Sequence, residues 1–416
     1  MIREVLPSQL QGTIQIPPSK SDAQRAIIAA SLARGTSIVS NIGTSDDVRH
    51  VIDAVVLLGA KVEVQDDNSL SIQGGKLKSP TDLNVGESGL AVRLLTPIVA
   101  SFNSDTCIDG KGSLKNRSLH FFDEVLPKMG VQFKSTNGFL PIQVQGPMTG
   151  GTYTVDGSQS SQYISGLLMS LPLIDESSEL NVENLASKPY VQMTLNTLHK
   201  FGIQIEHDQF SRFLIAGKQH YIPCDYQVEG DWSSASYWLV AAALGAKITI
   251  TGLAMNSLQA DKKMLDALVA AGCNLIFTTG GIEVNCEQKR AFQFDATHSP
   301  DLFPALVSFA AFCPGISIIK GVKRLKNKES DRGFALKTEF EKLGVQIDLF
   351  DDEMHIHGTT SIVGGIVNSH NDHRIAMCLA IVGLFSEKGI KIENAEAVAK
   401  SYPDFWNDLN NISHQN

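Results

Sequence analysis

IQIPPSKSD (14–22), LNVGESG (83–89), YTVDGSQSSQ (153–162), YQVEGDWSS (226–234), FQFDATHSPD (292–301) and GIVNSHNDHR (365–374) are six versions of one turn. In each, a strand-like run breaks into a polar turn of Ser, Asp, Lys or Arg and then passes into an apolar helix, a strand, a second helix and a Gly. Gly59, Gly130, Gly202, Gly272 and Gly344 end the second helices, at spacings of 71, 72, 70 and 72 residues. So regular a period means one supersecondary unit copied along the chain, and the copying decides the architecture.

The first helix of each copy is apolar on every side, as in GLAVRLLTPIVASF (89–102), ASYWLVAAALGA (235–246) and IAMCLAIVGLF (375–385). A helix without a polar face has to be buried. The second helix, as in VRHVIDAVVLLG (48–59) and GFALKTEFEKLG (333–344), carries charges opposite an apolar stripe and belongs outside. The expected class is α/β: a two-lobed fold, each lobe three repeats of a βαβαββ unit with buried helices and pseudo-threefold symmetry. The sixth copy lacks its closing strands, while REVLPSQLQGTIQI (3–16) is surplus strand-like sequence able to complete it. The lobes therefore divide as 18–228 and as 1–17 plus 229–416. Two crossings, near Pro17–Ser19 and Val228–Gly230, make a natural hinge.

At 416 residues the chain exceeds what one core usually supports, and 43% hydrophobic with 19% charged residues is an ordinary globular composition. A net charge of −9 argues against general binding to nucleic acid or to an anionic membrane. The six cysteines are scattered, without CxxC or metal-ligand spacing, and read as reduced thiols. MIREVLPSQL has the character of neither a secretory nor an organelle leader, and no apolar run approaches the ~20 residues of a membrane span. A soluble cytoplasmic protein is expected.

Charged and hydroxyl residues recur at the helix starts. Lys20, Ser21 and Arg25 open the first copy; Arg93 and Arg117 belong to the second; Ser160, Ser161, Gln162, Ser187 and Tyr190 to the third. Asp301, Lys328, Glu329 and Arg332 belong to the fifth, and His373, Arg374 and Lys400 to the sixth. A helix N-terminus presents unpaired N–H groups and partial positive charge, so cations placed there oppose the macrodipole. Each residue alone reads as a cap or a solvated ion pair. Their recurrence at one structural address points to an anionic, phosphorylated ligand.

PPSKSDAQRA (17–26), TSDDVRH (44–50), KGSLKNR (111–117), VDGSQSSQ (155–162), ASKPYVQMTL (186–195), KNKESDR (326–332), NDHRIAMC (371–378) and AKSYPDF (399–405) together resemble the 5-enolpyruvylshikimate 3-phosphate synthase family of carboxyvinyltransferases, in order and over most of the chain. The resemblance implies two lobes that close over the substrates and a transfer of the enolpyruvyl group of phosphoenolpyruvate to the 5-hydroxyl of shikimate 3-phosphate. It implies no metal or organic cofactor, and small-molecule partners only, on a monomer. Carried over residue by residue, it gives Ser21, Arg25, Ser160, Ser161, Gln162, Ser187, Tyr190, Asp301 and Lys328 to shikimate 3-phosphate. Phosphoenolpyruvate would fall to Lys20, Gly89, Arg117, Gln162, Arg332, His373, Arg374 and Lys400.

The chemistry needs those types. Phosphoenolpyruvate carries a carboxylate and a phosphate, which call for cations that keep their charge in a dry site. Bond formation needs a base for the ring hydroxyl and an acid for the methylene carbon; Asp301, Glu329 and Lys20 are the catalytic candidates, with Asp301 favoured as base. These groups are expected to be solvated, so that replacing them leaves stability unchanged. The related transferase acting on UDP-N-acetylglucosamine has Lys-Asn where this chain has Lys20-Ser21, which favours the shikimate acceptor. Where the family's familiar second turn reads GNAGTAMRP, this chain has Glu87, Leu90 and Leu94, and Glu87 is expected to repel a phosphate. Ser118 and Arg324 are further departures, standing where Pro and Asn are familiar.

Overall fold

The computed structural model describes residues 1–414 apart from 67, 76 and 104. All residues of the helices Gly89–Ala100, Trp232–Ala243 and His373–Leu384 are buried, as helices that are almost wholly apolar require. The chain forms two compact units, Pro18–Glu229 and Met1–Pro17 with Gly230–Asn416. Each has its own hydrophobic core. The first is built on the helices Lys20–Leu32, Gly89–Ala100 and Ser161–Ser170, the second on Trp232–Ala243, Phe303–Ala310 and His373–Leu384.

Small sheets flank these helices. Asp82–Asn84 pairs parallel with Asp105–Asp109, which pairs antiparallel with Phe139–Gln145, and that strand pairs antiparallel with Gln132–Thr136. The sheets within 151–215 and 293–358 have the same order and senses. A parallel pair needs a crossover, and the buried helix supplies it. Each polar turn therefore sits between the end of a strand and the start of a buried helix.

Two leading strands are exchanged. Gln9–Gln15, just before the first turn, pairs parallel with Lys247–Thr251 of the fourth copy. Tyr226–Gln227, before the fourth turn, pairs parallel with Thr36–Ser40 of the first. Ile2–Val5 joins the sixth copy against Ile390–Glu393, and Gln9–Leu10 touches its end at Ser413–His414, but the full length of Gln9–Gln15 lies along the fourth copy, so the sequence reading that sends all of 3–16 to the sixth is corrected. The fourth copy's own leading strand has gone to the first, and Gln9–Gln15 satisfies the backbone groups left open. Within Pro18–Glu229 the exchange is tied by the Ser19 N–H donating to Glu229 O at 2.7 Å, and by Asp22, which accepts from the Tyr226 hydroxyl at 2.6 Å.

The outer helix of the second copy is shorter than its pattern predicts. His120–Val125 gives way to a 3-10 turn at Pro127–Met129, because Pro127 lacks the N–H that an α-helix would use. Gly130 then takes φ 83°, a conformation that favours glycine, and turns the chain into the next strand. Among the described residues no helix is long and apolar enough to cross a membrane.

Val5, Leu10, Ile14 and Ile16 lie in the core of the Gly230–Asn416 unit. Truncating Leu10, 3% exposed, to Ala should lower the unfolding free energy of that unit by ~2–5 kcal/mol. Hydrogen exchange should quicken across Lys247–Thr251 and stay unchanged across Thr36–Ser40; unchanged protection of Lys247–Thr251 would contradict the pairing.

Candidate active site

Within Pro18–Glu229 the turns gather side chains from three helix starts. Lys20 opens the Lys20–Leu32 helix, where a cation opposes the macrodipole. Its Nζ donates to Asp47 Oδ2 at 2.9 Å, and both side chains are largely buried. Arg25, one turn later, is 1% exposed. It donates through Nε to Thr194 Oγ1 at 2.8 Å, through Nη1 to Ser21 O at 2.7 Å and through Nη2 to Tyr190 O at 3.5 Å. Burial lowers its pKa to about 10, with Asp22 opposing the shift, so the guanidinium stays charged at neutral pH. Ser21, Arg25 and Tyr190 are thus brought together.

Ser160 caps the Ser161–Ser170 helix, its Oγ accepting from the Gln162 N–H at 3.3 Å. Gln162 Oε1 accepts from Arg93 Nη1 at 2.9 Å, and the same nitrogen donates to Gly89 O at 3.0 Å. Ser187 is buried at φ 55°, at the N-cap of Lys188–Lys200. The Arg117 guanidinium lies on Gly89: a Cβ there would stand 2.3 Å from Nη1, so any side chain at this position would displace the guanidinium. Glu87 Oε2 accepts from the Ser113 N–H at 2.9 Å and the Ser113 hydroxyl at 3.0 Å. The carboxylate is thus held by a neighbouring turn. Leu90 and Leu94 are both buried in the core.

In the other unit a denser group forms. Asp301 Oδ1 accepts from Lys328 Nζ at 2.9 Å and Arg332 Nη1 at 2.7 Å, and its Oδ2 accepts from Arg374 Nη2 at 3.2 Å. Arg332 also donates through Nη2 to Glu329 at 2.6 Å and through Nε to Asp372 Oδ2 at 2.8 Å. Asp372 is wholly buried and caps the His373–Leu384 helix, accepting from the Arg374 N–H. Burial alone would raise the Asp301 pKa; Arg374, Lys328 and Arg332 outweigh it and hold the carboxyl well below the usual range. Burial lowers the Lys328 pKa despite Asp301. Arg332 and Arg374 are held above the usual guanidinium value, their carboxylate neighbours outweighing burial. His373 is buried within the first helical turn, and Lys400 donates to Asn371 O at 2.8 Å.

These groups are not the solvated charges that the sequence predicts. The side chains of Asp301, Glu329 and Arg332 are 22%, 17% and 1% exposed, and all are paired. Replacing them therefore changes stability as well as chemistry. Sequence reading also left Asp47, Thr194 and Asp372 without roles, although Asp47 lies in TSDDVRH and Asp372 in NDHR, and it gave Arg93 no partner. Among the described residues no group of His, Cys, Asp and Glu is arranged to hold a metal ion.

Chemically, such buried cations at helix starts can bind multiply charged anions, and the carboxylates among them can move protons. All three tryptophans, Trp232, Trp238 and Trp406, lie in the unit that contains Asp372, so their fluorescence follows its unfolding. Asp372→Asn leaves Arg332 buried with a partner lost and should lower that unit's stability by ~3–5 kcal/mol in urea titrations. A change within ~0.5 kcal/mol, the usual range for exposed surface changes, would contradict the pairing.

The model of the EPSP synthase (3-phosphoshikimate 1-carboxyvinyltransferase) family matches residues 6–409. The 3-phosphoshikimate 1-carboxyvinyltransferase of Clostridium novyi is 36% identical over 98% of this chain and 97% of its own length. That of Clostridium kluyveri is 37% identical over 98% and 96%. In fold, the chain is similar to the EPSP synthase of Acinetobacter baumannii, with a TM-score of 0.81 at 24% identity over 99% of this chain and 98% of that one. It is also similar to the enolpyruvyl transferase NikO of Streptomyces tendae, with a TM-score of 0.80 at 17% identity over 99% and 97%. Near-complete coverage in both directions, with the charged turns in the family's order, leads to one conclusion: the chain belongs to the EPSP synthase family.

Proposed function

We propose that this chain transfers the enolpyruvyl group of phosphoenolpyruvate to the 5-hydroxyl of shikimate 3-phosphate, releasing phosphate by addition and elimination through a tetrahedral intermediate. The reaction serves chorismate and aromatic amino acid biosynthesis. The observation that carries this reading is the set of buried or largely buried cations in and beside the polar turns, Lys20, Arg25 and Arg117 in one unit and Lys328, Arg332 and Arg374 in the other. Two substrates that each carry one carboxylate and one phosphate need such a set.

Shikimate 3-phosphate is assigned to Ser21, Arg25, Ser160, Ser161, Gln162, Ser187, Tyr190 and Lys328. Phosphoenolpyruvate is assigned to Lys20, Gly89, Arg117, Gln162, Arg332, Arg374 and Lys400, with His373 donating to its phosphate. Asp301 is the base toward the 5-hydroxyl. A carboxylate held so acidic by three cations is a weak base until those cations turn to bound anions, which would return its basicity when the substrates are in place. Glu329 and Lys20 handle the methylene proton. The reading calls for neither metal nor organic cofactor, and places a monomer in the cytoplasm with its two small substrates as partners, without nucleic acid or membrane.

Phosphate release should require both substrates together. Asp301→Asn, Glu329→Gln and Lys20→Met should each lower kcat by ~10²–10⁴-fold in protein shown to be folded. Near-normal turnover in a folded variant would remove that residue from the mechanism, and release with UDP-N-acetylglucosamine in place of shikimate 3-phosphate would overturn the acceptor.

A further inference from the structure

Glu87 lies two residues before Gly89, and the turn that holds it is stitched to the loop carrying Arg117. The Val85 N–H donates to Asp109 O at 3.0 Å and the Lys111 N–H to Gly86 O at 2.8 Å. Between these backbone ties and Arg117 runs the 3-10 turn Gly112–Asn116. Its first N–H groups have no partner within the turn. Glu87 supplies one from outside, Oε2 accepting from the Ser113 N–H at 2.9 Å and from its hydroxyl at 3.0 Å. The carboxyl lies directly on Gly112, at φ +56°, where a Cβ would come within 2.3 Å of Glu87 Cδ.

Beyond Ser113 the turn is anchored again. Leu114 is wholly buried in the core, and the Arg117 N–H donates to Leu114 O at 3.0 Å. The Arg117 guanidinium then seats on Gly89. The chain from Glu87 to Gly89 thus grips the 112–117 turn at both ends, through a carboxylate at its start and a glycine under its terminal arginine.

We propose that Glu87 is a positioning residue for phosphoenolpyruvate binding: by clasping Ser113 it fixes the turn that aims the Arg117 guanidinium. This rests on the reading that Arg117 binds phosphoenolpyruvate. An ionised acceptor makes the clasp stronger than a neutral one would, and a guanidinium fork binds a carboxylate or phosphate well only when its plane is set. The acid that reads in the sequence as repulsive toward phosphate thereby assists binding.

The test is steady-state kinetics on Glu87→Ala, Glu87→Gln, Ser113→Ala, Arg117→Ala and the double variant Glu87→Ala with Arg117→Ala. Shikimate 3-phosphate affinity and thermal unfolding are measured alongside. Glu87→Ala should raise KM for phosphoenolpyruvate by about 10-fold, since small misplacements of binding groups carry large penalties. Affinity for shikimate 3-phosphate should not change, and Glu87→Gln and Ser113→Ala should have smaller effects, since the first keeps an acceptor oxygen without the charge and the second keeps the backbone N–H. If Glu87 acts through Arg117, the double variant should match Arg117→Ala within ~2-fold. Independent, multiplying effects would overturn the proposal, as would an unchanged or lowered KM in Glu87→Ala while Arg117→Ala raises it. An unchanged KM in Arg117→Ala would instead remove the reading of Arg117, and the proposal with it.

Discussion

Arg332 is wholly buried and is held by three carboxylates, Asp301, Glu329 and Asp372. A guanidinium taken out of water is costly unless its donors are met, and removing any one partner leaves the others with an uncompensated charge. Each carboxylate comes from a different place along the chain: Asp301 from the start of a buried helix, Glu329 from the loop before an outer helix, and Asp372 from the cap of another buried helix. The repeated strand-turn-helix unit brings those addresses together. In this unit, the fold's symmetry and the site's charge are one constraint.

The same constraint shapes what the site can bind. Asp301 is shared by Arg332, Lys328 and Arg374, so these cations are already neutralised in part. A weakly charged ligand cannot compete with a carboxylate placed at hydrogen-bond distance, whereas a phosphate or a phosphate with a carboxylate can. In Pro18–Glu229, Lys20 is held by Asp47 and Arg25 by a hydroxyl and two backbone oxygens. Arg25 therefore keeps its charge with no acid directly bonded through the donors described, which suits it to a ligand's carboxylate.

The buried helices were legible because a helix such as GLAVRLLTPIVA has no face to give to water. The family was legible because its charged turns survive in order. Strand allotment was not: IQI before the first turn and YQV before the fourth show the same alternation, and only their neighbours in space decide which sheet each joins. Ion-pair partners were equally hidden. Lys20 and Asp47 stand 27 positions apart and Arg332 and Asp372 40 apart, beyond any local pattern. The charge at Glu87 was visible, but its orientation depends on Gly112, whose missing side chain leaves room for the carboxyl.

The central claim is that Asp301 is an ionised carboxylate held by buried cations, and the difference in unfolding free energy between the wild type and Asp301→Asn, followed against pH by tryptophan fluorescence in urea, tests it most directly. A carboxyl depressed in the folded state contributes stability above its unfolded pKa of ~3.9 and loses it as pH falls toward the folded value. The wild type should therefore be the more stable protein by a constant margin above about pH 5, and the margin should shrink progressively below about pH 4. An Asp301→Asn protein as stable as the wild type at neutral pH, or a margin that grows on acidification, would contradict the account.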